Sequence, residues 1–330
     1  MPIAFAGEGR QWRLSEWRSD VDGPDCRLLI ASMAQSSQFG VAPSGYRLPE
    51  ATQLGAVHLQ VADLARSVAY YTQVIGLRVL EASSRPVRLA AHGDSRTLIA
   101  LHERPGAAPV PRRGRLGLFH VAILLPDRAA LGRFLAHLIA IGAHPGMSDH
   151  LVSEALYLND PDGLGLEIYA DRPRESWQVQ NRQLVMATEP LDVHSVIAAA
   201  NGVEWSGAPA GTKIGHVHLH VGDLVLASEF YHKAVGLDRI VWSYPGALFL
   251  SAGGYHHHLG TNTWASGAEP AGPDEARLLE WTIEVPTSAD AQAVAASLAT
   301  HDVATAPDDG AFVTRDPWGT SLRVRAFGPG

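Results

Sequence analysis

Four times along the chain, an alternating run of apolar and polar residues gives way to a stretch with the 3.6-residue spacing of a helix. Residues 54–77 read LGAVHLQVADLARSVAYYTQVIGL, and residues 214–237 read IGHVHLHVGDLVLASEFYHKAVGL. In both, a strand leads to an aspartate (Asp63, Asp223), then to a helix that carries an aromatic (Tyr71, Tyr231) and stops at a glycine (Gly76, Gly236). The carboxylate suits an N-cap, where it accepts from free helix N–H groups. The glycine suits the left-handed residue that ends a helix. Two further copies begin at LGLFHVAILLPDRAALGRFLAHLIAIGA (116–143) and LLEWTIEVPTSADAQAVAASLATHDV (278–303). They end at NDPDGLGLEIY (159–169) and RDPWGTSLRVR (315–325), where an Asp-Pro-x-Gly turn feeds a closing strand. The repeats predict an α+β chain of four βαβββ modules in tandem. Its expected layout is an irregular N-terminal extension over 1–50, a domain over 51–173 with modules 1 and 2, a linker over 174–211, and a domain over 212–330 with modules 3 and 4.

Composition narrows the function class. The 330 residues carry a formal net charge of −8 and no basic block, which argues against a nucleic-acid partner. No apolar run approaches the roughly 20 residues of a membrane span. The single cysteine, Cys26, excludes an intramolecular disulfide and a thiolate metal cage. The expected location is the cytoplasm. The first 45 or so residues hold no sustained period and no secretion signal, and Met33 is an alternative initiator for the chain.

The four-module pattern from residue 54 onward resembles the vicinal oxygen chelate superfamily, and within it the extradiol, catechol 2,3-dioxygenase-like enzymes. Residues 150–167, HLVSEALYLNDPDGLGLE, fit H-x5-L-Y-x2-D-P-x-G-x3-E, a spacing similar to the extradiol ring-cleavage signature, from which Ser148 departs. Residues 253–260, GGYHHHLG, fit the family's G-x-x-H-H element through Gly254, His257 and His258.

The resemblance implies two modules around one metal, with ligands from each first strand and from a closing strand. The first-strand position, seven residues before the helix cap, gives Ala56, His120, His216 and Glu280 in modules 1 to 4. The closing-strand position gives Glu167 in module 2, Arg323 in module 4, and Ala100 and His258 in modules 1 and 3. Alanine binds nothing and arginine is not a ligand at neutral pH, so His120, Glu167 and His216 form the one usable set. Two histidines and a carboxylate match the facial triad of non-haem iron(II) oxygenases. The cofactor so implied is Fe(II), with Mn(II) as the alternative. Modules 2 and 3 are therefore expected to pair around the metal, and modules 1 and 4 to pair without one, Glu280 and Arg323 forming an ion pair.

The remaining roles follow from the same resemblance. His258 is expected as the acid–base group, with Tyr157 and His150 hydrogen-bonding the reacting substrate. His218, which shares a strand face with His216, and His257 are expected to contact substrate. By strand alternation His257 points away from His256 and His258. A lone strand histidine is usually a satisfied packing residue, and Trp264, Trp281 and Trp318 are as compatible with core as with a pocket wall. Glu167 in an apolar strand is different, since a buried carboxylate needs a cation or donors.

The implied function is extradiol cleavage of a catechol-type diol with O2, in a homo-oligomer. A glyoxalase-type metal-dependent isomerase or lyase, with His258 as a fourth ligand, and a metal-free small-molecule-binding protein stay open as alternatives.

Overall fold

A computed structural model describes residues 39–327. The expectations for Cys26 and Met33 lie outside the described residues. Of the expected extension, residues 39–50 lack helix and paired strand but are fastened to module 3. Val41 bridges Arg239, and Arg47 holds Asp238 through Nε at 2.8 Å and a second nitrogen at 2.6 Å.

Each module has the predicted order. Module 1 comprises β1 (Gln53–Val61), α1 (Leu64–Gln73), β2 (Arg78–Val79), β3 (Val87–Ala90) and β4 (Ile99–Glu103). Module 2 comprises β5 (Gly117–Leu124), α2 (Arg128–Ala140), β6 (Gly146–Asp149), β7 (Ser153–Asn159) and β8 (Gly165–Asp171). The linker is not bare chain. It carries a 3-10 turn (Arg174–Ser176), a hairpin of β9 (Val179–Gln180) and β10 (Gln183–Leu184), and α3 (Val193–Ala199). Module 3 comprises β11 (Lys213–His220), α4 (Leu224–Ala227) running on as a π-helix (Ser228–Ala234), β12 (Asp238–Val241), β13 (Ala247–Ser251) and β14 (Leu259–Asn262). Module 4 comprises β15 (Arg277–Val285), α5 (Ser288–Thr300), β16 (Ala306–Asp308), β17 (Ala311–Arg315) and β18 (Ser321–Ala326).

The caps fall where the sequence places them. Asp63, Asp127, Asp223 and Thr287 each accept from a first-turn N–H of the helix that follows. Gly76 and Gly236 adopt φ of +81° and +99°, which costs glycine nothing and most residues a strained backbone.

The strands form two eight-stranded sheets, and the pairing is crossed. One runs β12-β13-β14-β11-β5-β8-β7-β6, joining modules 2 and 3; the other runs β16-β17-β18-β15-β1-β4-β3-β2, joining modules 1 and 4. Each seam is antiparallel between two first strands: His218 faces His120 across β11 and β5, and His58 faces Glu280 across β1 and β15. Sequence neighbours meet instead through the helix layer. The Tyr71 hydroxyl of α1 donates to Asp160 in the module 2 turn at 3.3 Å, and Tyr231 donates to Asp316 in the module 4 turn at 2.9 Å. The recurrent helix aromatic thus docks on the recurrent Asp-Pro-x-Gly turn, whose aspartate also accepts two backbone N–H groups. Burial pushes the Asp160 carboxyl up to about 6, although those donors oppose the shift.

In the sheet of modules 1 and 4 the expected ion pair is present. Arg323 Nε donates to Glu280 Oε1 at 2.6 Å, and the same guanidinium reaches Asp308 at 2.6 Å. Beside it, His58 Nδ1 and His102 Nε2 lie 3.0 Å apart.

Candidate metal centre

The seam of β5 and β11, with β8 alongside β5, concentrates polar chemistry in an otherwise apolar sheet. His120 comes from β5, Glu167 from β8 and His216 from β11, with only 4%, 2% and 1% of their surfaces exposed. The Nε2 atoms of both histidines converge on Glu167 Oε2, at 3.0 Å from His120 and 3.1 Å from His216, and lie 3.3 Å from each other. Protons satisfy such a triangle poorly, because an N–H aimed along one edge points about 60° from the other, where hydrogen bonds fail. A cation satisfies it well. Donors bound at about 2.1 Å and at right angles to one another are separated by about 3.0 Å. Among the described residues this is the one group of three or more His, Cys, Asp or Glu side chains close enough to hold a metal.

The electrostatics agree with that geometry. Burial alone raises the Glu167 carboxyl, but His216 and His120 beside it together hold it well below the usual carboxylate range. Burial lowers His216 to about 4 despite Glu167, so at neutral pH its lone pair is free for a ligand. Its Nδ1 is buried with no hydrogen-bond partner. Packing holds the ring instead, with Tyr169 and His257 centred 5.0 and 4.0 Å away.

The three residues border a cavity of about 250 Å3, near the small end of ligand pockets. Phe119, Phe249, Tyr244 and Trp264 supply apolar walls, and Met186, Ala187 and Thr188 of the linker close one side. Tyr157 and His150 line it as expected. His150 Nδ1 donates to the Ala187 carbonyl at 2.6 Å, which leaves Nε2 to accept the Tyr157 hydroxyl at 2.6 Å. Burial, with Glu167 nearby, keeps that phenol well above its usual range and therefore protonated.

His218 also lines the cavity. Asn262 Oδ1 accepts from His220 Nδ1 at 2.7 Å and from the Trp264 N–H at 3.0 Å, so Nδ2 faces His218 Nε2 at 3.0 Å and donates to it. Trp264 is half-exposed at the cavity wall, Trp281 is wholly buried core, and Trp318 packs over Gly222.

The expectation for His258 requires a correction. His258 meets β11 at the backbone, where the Val217 N–H donates to the His258 carbonyl. The residue of β14 that matches Glu167 of β8 is Gly260, because Gly260 stands opposite His218 as Glu167 stands opposite Ala122. The closing strand was counted two residues early. Gly253 and Gly254, with φ of +61° and +63°, curl the chain before β14 and displace the count. His258 faces a second cavity with Asp171, Arg174 and Lys213, and its Nδ1 accepts from the Ala252 N–H at 3.2 Å. His257 is the histidine that lines the metal-side cavity.

Gly260 leaves room for the His218 ring, since a Cβ there would lie 2.9 Å from the ring. Gly260→Ala is expected to cost about 1–3 kcal/mol by overpacking, read as a lower urea midpoint with an unchanged slope.

Phe119, Phe249, Tyr244 and the linker segment 186–188 were not expected from the sequence as pocket walls. Strand alternation turns Phe119 away from the face of His120, and it reaches the cavity at the irregularity where the β5–β11 register shifts between Leu118 and His120.

Comparisons with known proteins agree with this architecture. The model of the Glyoxalase/Bleomycin resistance protein/Dioxygenase superfamily matches residues 53–168. The catechol-2,3-dioxygenase of Bacillus subtilis (strain 168) is 43% identical over 272 residues, covering 81% of this chain and 95% of that protein. Among solved structures, a provisionally named dioxygenase from Bacillus subtilis superposes with a TM-score of 0.61 at 15% identity, over 86% of this chain and 87% of that one. A single-site variant of glyoxalase I from Zea mays superposes with a TM-score of 0.52 at 17% identity, over 83% and 92%. With its crossed pairs of βαβββ modules and its buried His-His-Glu set, the chain belongs to the Glyoxalase/Bleomycin resistance protein/Dioxygenase superfamily, among its catechol 2,3-dioxygenase-like members.

Proposed function

We propose that the chain is an extradiol dioxygenase that opens a catechol-type ring with O2 at an Fe(II) ion held by His120, Glu167 and His216, Mn(II) being the alternative metal, and that it works in the cytoplasm. The observation that carries this reading is the convergence of two Nε2 atoms and one carboxylate oxygen on the wall of a ring-sized cavity. A three-residue set leaves positions open for a diol and O2. Bound there, the metal supplies positive charge that acidifies the diol hydroxyls and a route for electrons from diol to O2.

The chain's own groups supply the rest. Phe119, Phe249 and Trp264 hold an aromatic ring by its faces and exclude water. His257, which lines the cavity, takes the acid–base role expected of His258; a neutral imidazole accepts a diol proton and returns it later. Tyr157, its proton held toward His150 Nε2, offers phenolic lone pairs to a substrate hydroxyl. It can also donate once His150 carries a second proton.

The isomerase alternative loses its fourth ligand, because glycine stands at the position that would supply one. Loading the full chain with Fe(II) without oxygen, then adding catechol and substituted catechols in air, tests the proposal. A yellow ring-fission product is expected, abolished in His216→Ala and retained in Glu280→Ala. Bound metal without product from any diol favours the isomerase, and no bound metal favours a binding protein.

A further inference from the structure

A chain of directed hydrogen bonds runs from the end of β8, on the face that carries Glu167, to His257. Tyr255 donates its hydroxyl to Asp171 Oδ1 at 3.0 Å, and the Tyr169 hydroxyl stands 2.7 Å from Tyr255 as its donor. The same Oδ1 lies 2.9 Å from His256 Nε2. A carboxylate accepts only, so in a neutral His256 the proton sits on Nε2 and Nδ1 carries a lone pair. His256 Nδ1 lies 2.7 Å from His257 Nδ1. That contact is a hydrogen bond only if His257 is the donor. The proton of His257 therefore sits on Nδ1, and its Nε2, with no hydrogen-bond partner among the described residues, is bare toward the cavity.

Rigid surroundings hold the chain. His256 stacks on Tyr255 with centroids 4.0 Å apart, and the His257 ring is wedged between His216 and Phe249, at 4.0 and 5.0 Å. Gly215 of β11 lets the Tyr169 hydroxyl reach Tyr255, because any Cβ there would overlap that hydroxyl.

We propose that Asp171 and His256 are positioning residues that fix the tautomer of His257, so that an unprotonated Nε2 is presented to the diol. The orienting group of a catalytic imidazole is normally a carboxylate in direct contact; here a second imidazole is interposed, and the carboxylate stands at the end of β8. The proposal rests on the acid–base role given to His257, but its test does not need turnover.

The experiment uses the full chain, labelled with 15N-histidine and loaded with Zn(II), whose closed shell leaves the spectrum unbroadened. Long-range 1H–15N spectra distinguish the two neutral tautomers, and the signals lost in His257→Gln identify that residue. The expected result is His257 protonated on Nδ1. His256→Phe removes the acceptor and is expected to move the proton to Nε2. His256→Asn, whose side-chain carbonyl stands close to the position of Nδ1, is expected to restore the Nδ1–H form. Asp171→Ala frees the His256 proton and is expected to give both forms of His257.

With a cleavable diol, His256→Phe is expected to lower kcat about 10-fold or more at nearly constant KM, and His256→Asn to recover most of it. An Nε2-protonated His257 in the unaltered protein overturns the proposal, as does a His257 tautomer that His256→Phe leaves unchanged. Should the unaltered protein cleave no diol while its tautomers follow this pattern, the dioxygenase reading fails and the positioning role stands.

Discussion

Replacing Glu167 with glutamine is expected to reduce bound metal from about one ion per chain to a small fraction and to lower ring cleavage by at least about 1,000-fold. The substitution keeps size and strand packing while removing the only charged member of the set. A divalent ion in a buried site faces a desolvation cost that two neutral imidazoles cannot offset, so the carboxylate carries most of the binding energy. Glu167 has no substitute within reach. The matching position on β14 is glycine, and Glu280 and Glu284 of the other sheet are engaged by Arg323 and Arg325. Anaerobic Fe(II) loading followed by elemental analysis gives the stoichiometry, and oxygen uptake gives the rate. Full metal content in Glu167→Gln would remove this residue from the ligand set and with it the three-residue centre.

The second large effect is acid lability of the metal-free protein. Burial holds His216 at about 4 and His258 at about 3, and burial with neighbouring imidazoles holds His218 and His257 well below the ordinary value of 6.5. The folded chain keeps these rings neutral, while the unfolded chain protonates them as pH falls through 6.5. The unfolded state therefore binds more protons between about 6.5 and 4. Stability is complete above this window and is lost as the pH falls through it. Glu167, depressed in the folded state, adds a loss of the same sign at still lower pH. Each excess proton contributes about 1.4 kcal/mol per pH unit, so uptake of two or more gives a slope of roughly 3 kcal/mol per unit.

Urea unfolding of metal-free protein from pH 8 to pH 5 measures this slope. A flat profile would mean that the rings are not held neutral in the fold. His258→Asn isolates one contribution, since its carbonyl can accept from the Ala252 N–H without titrating. It is expected to flatten the profile by about one proton.

The sequence made the modular fold legible because its signals are local. A cap, a helix aromatic, a terminal glycine and an Asp-Pro-x-Gly turn each sit at a fixed distance from the next. The candidate ligands were legible because they are counted from those markers: His120 and His216 back from Asp127 and Asp223, Glu167 forward from Asp160. Even the crossed pairing could be inferred, since only modules 2 and 3 together hold a complete donor set.

His258 was misplaced by a count of the same kind. The segment from Ala252 to His258 is a glycine-curled loop, and a count made along it assumes a strand that begins only at Leu259. The pocket walls at Met186–Thr188 and Tyr244 were beyond reach. They arrive from a linker and a hairpin turn whose positions depend on tertiary packing and leave no period in the sequence. The contact between Asp171 and His256 spans 85 residues and joins two modules, so no local rule points to it.

The crossed pairing of modules also bears on the order in which the parts can assemble as the chain emerges from a ribosome. Modules 2 and 3 are consecutive, so their shared sheet has all its strands once Asn262 has been made. The outer sheet has to wait, because Gln53 of β1 pairs with Glu284 of β15 near the far end of the chain. Until then β1 is paired only on its β4 side, while the helix side of module 1 can be occupied through Tyr71 on the module 2 turn. A nascent chain can thus hold a complete sheet of modules 2 and 3 while its first strand still lacks one of its two neighbours, and a chaperone acting on this protein would find its client surface at the beginning of the fold.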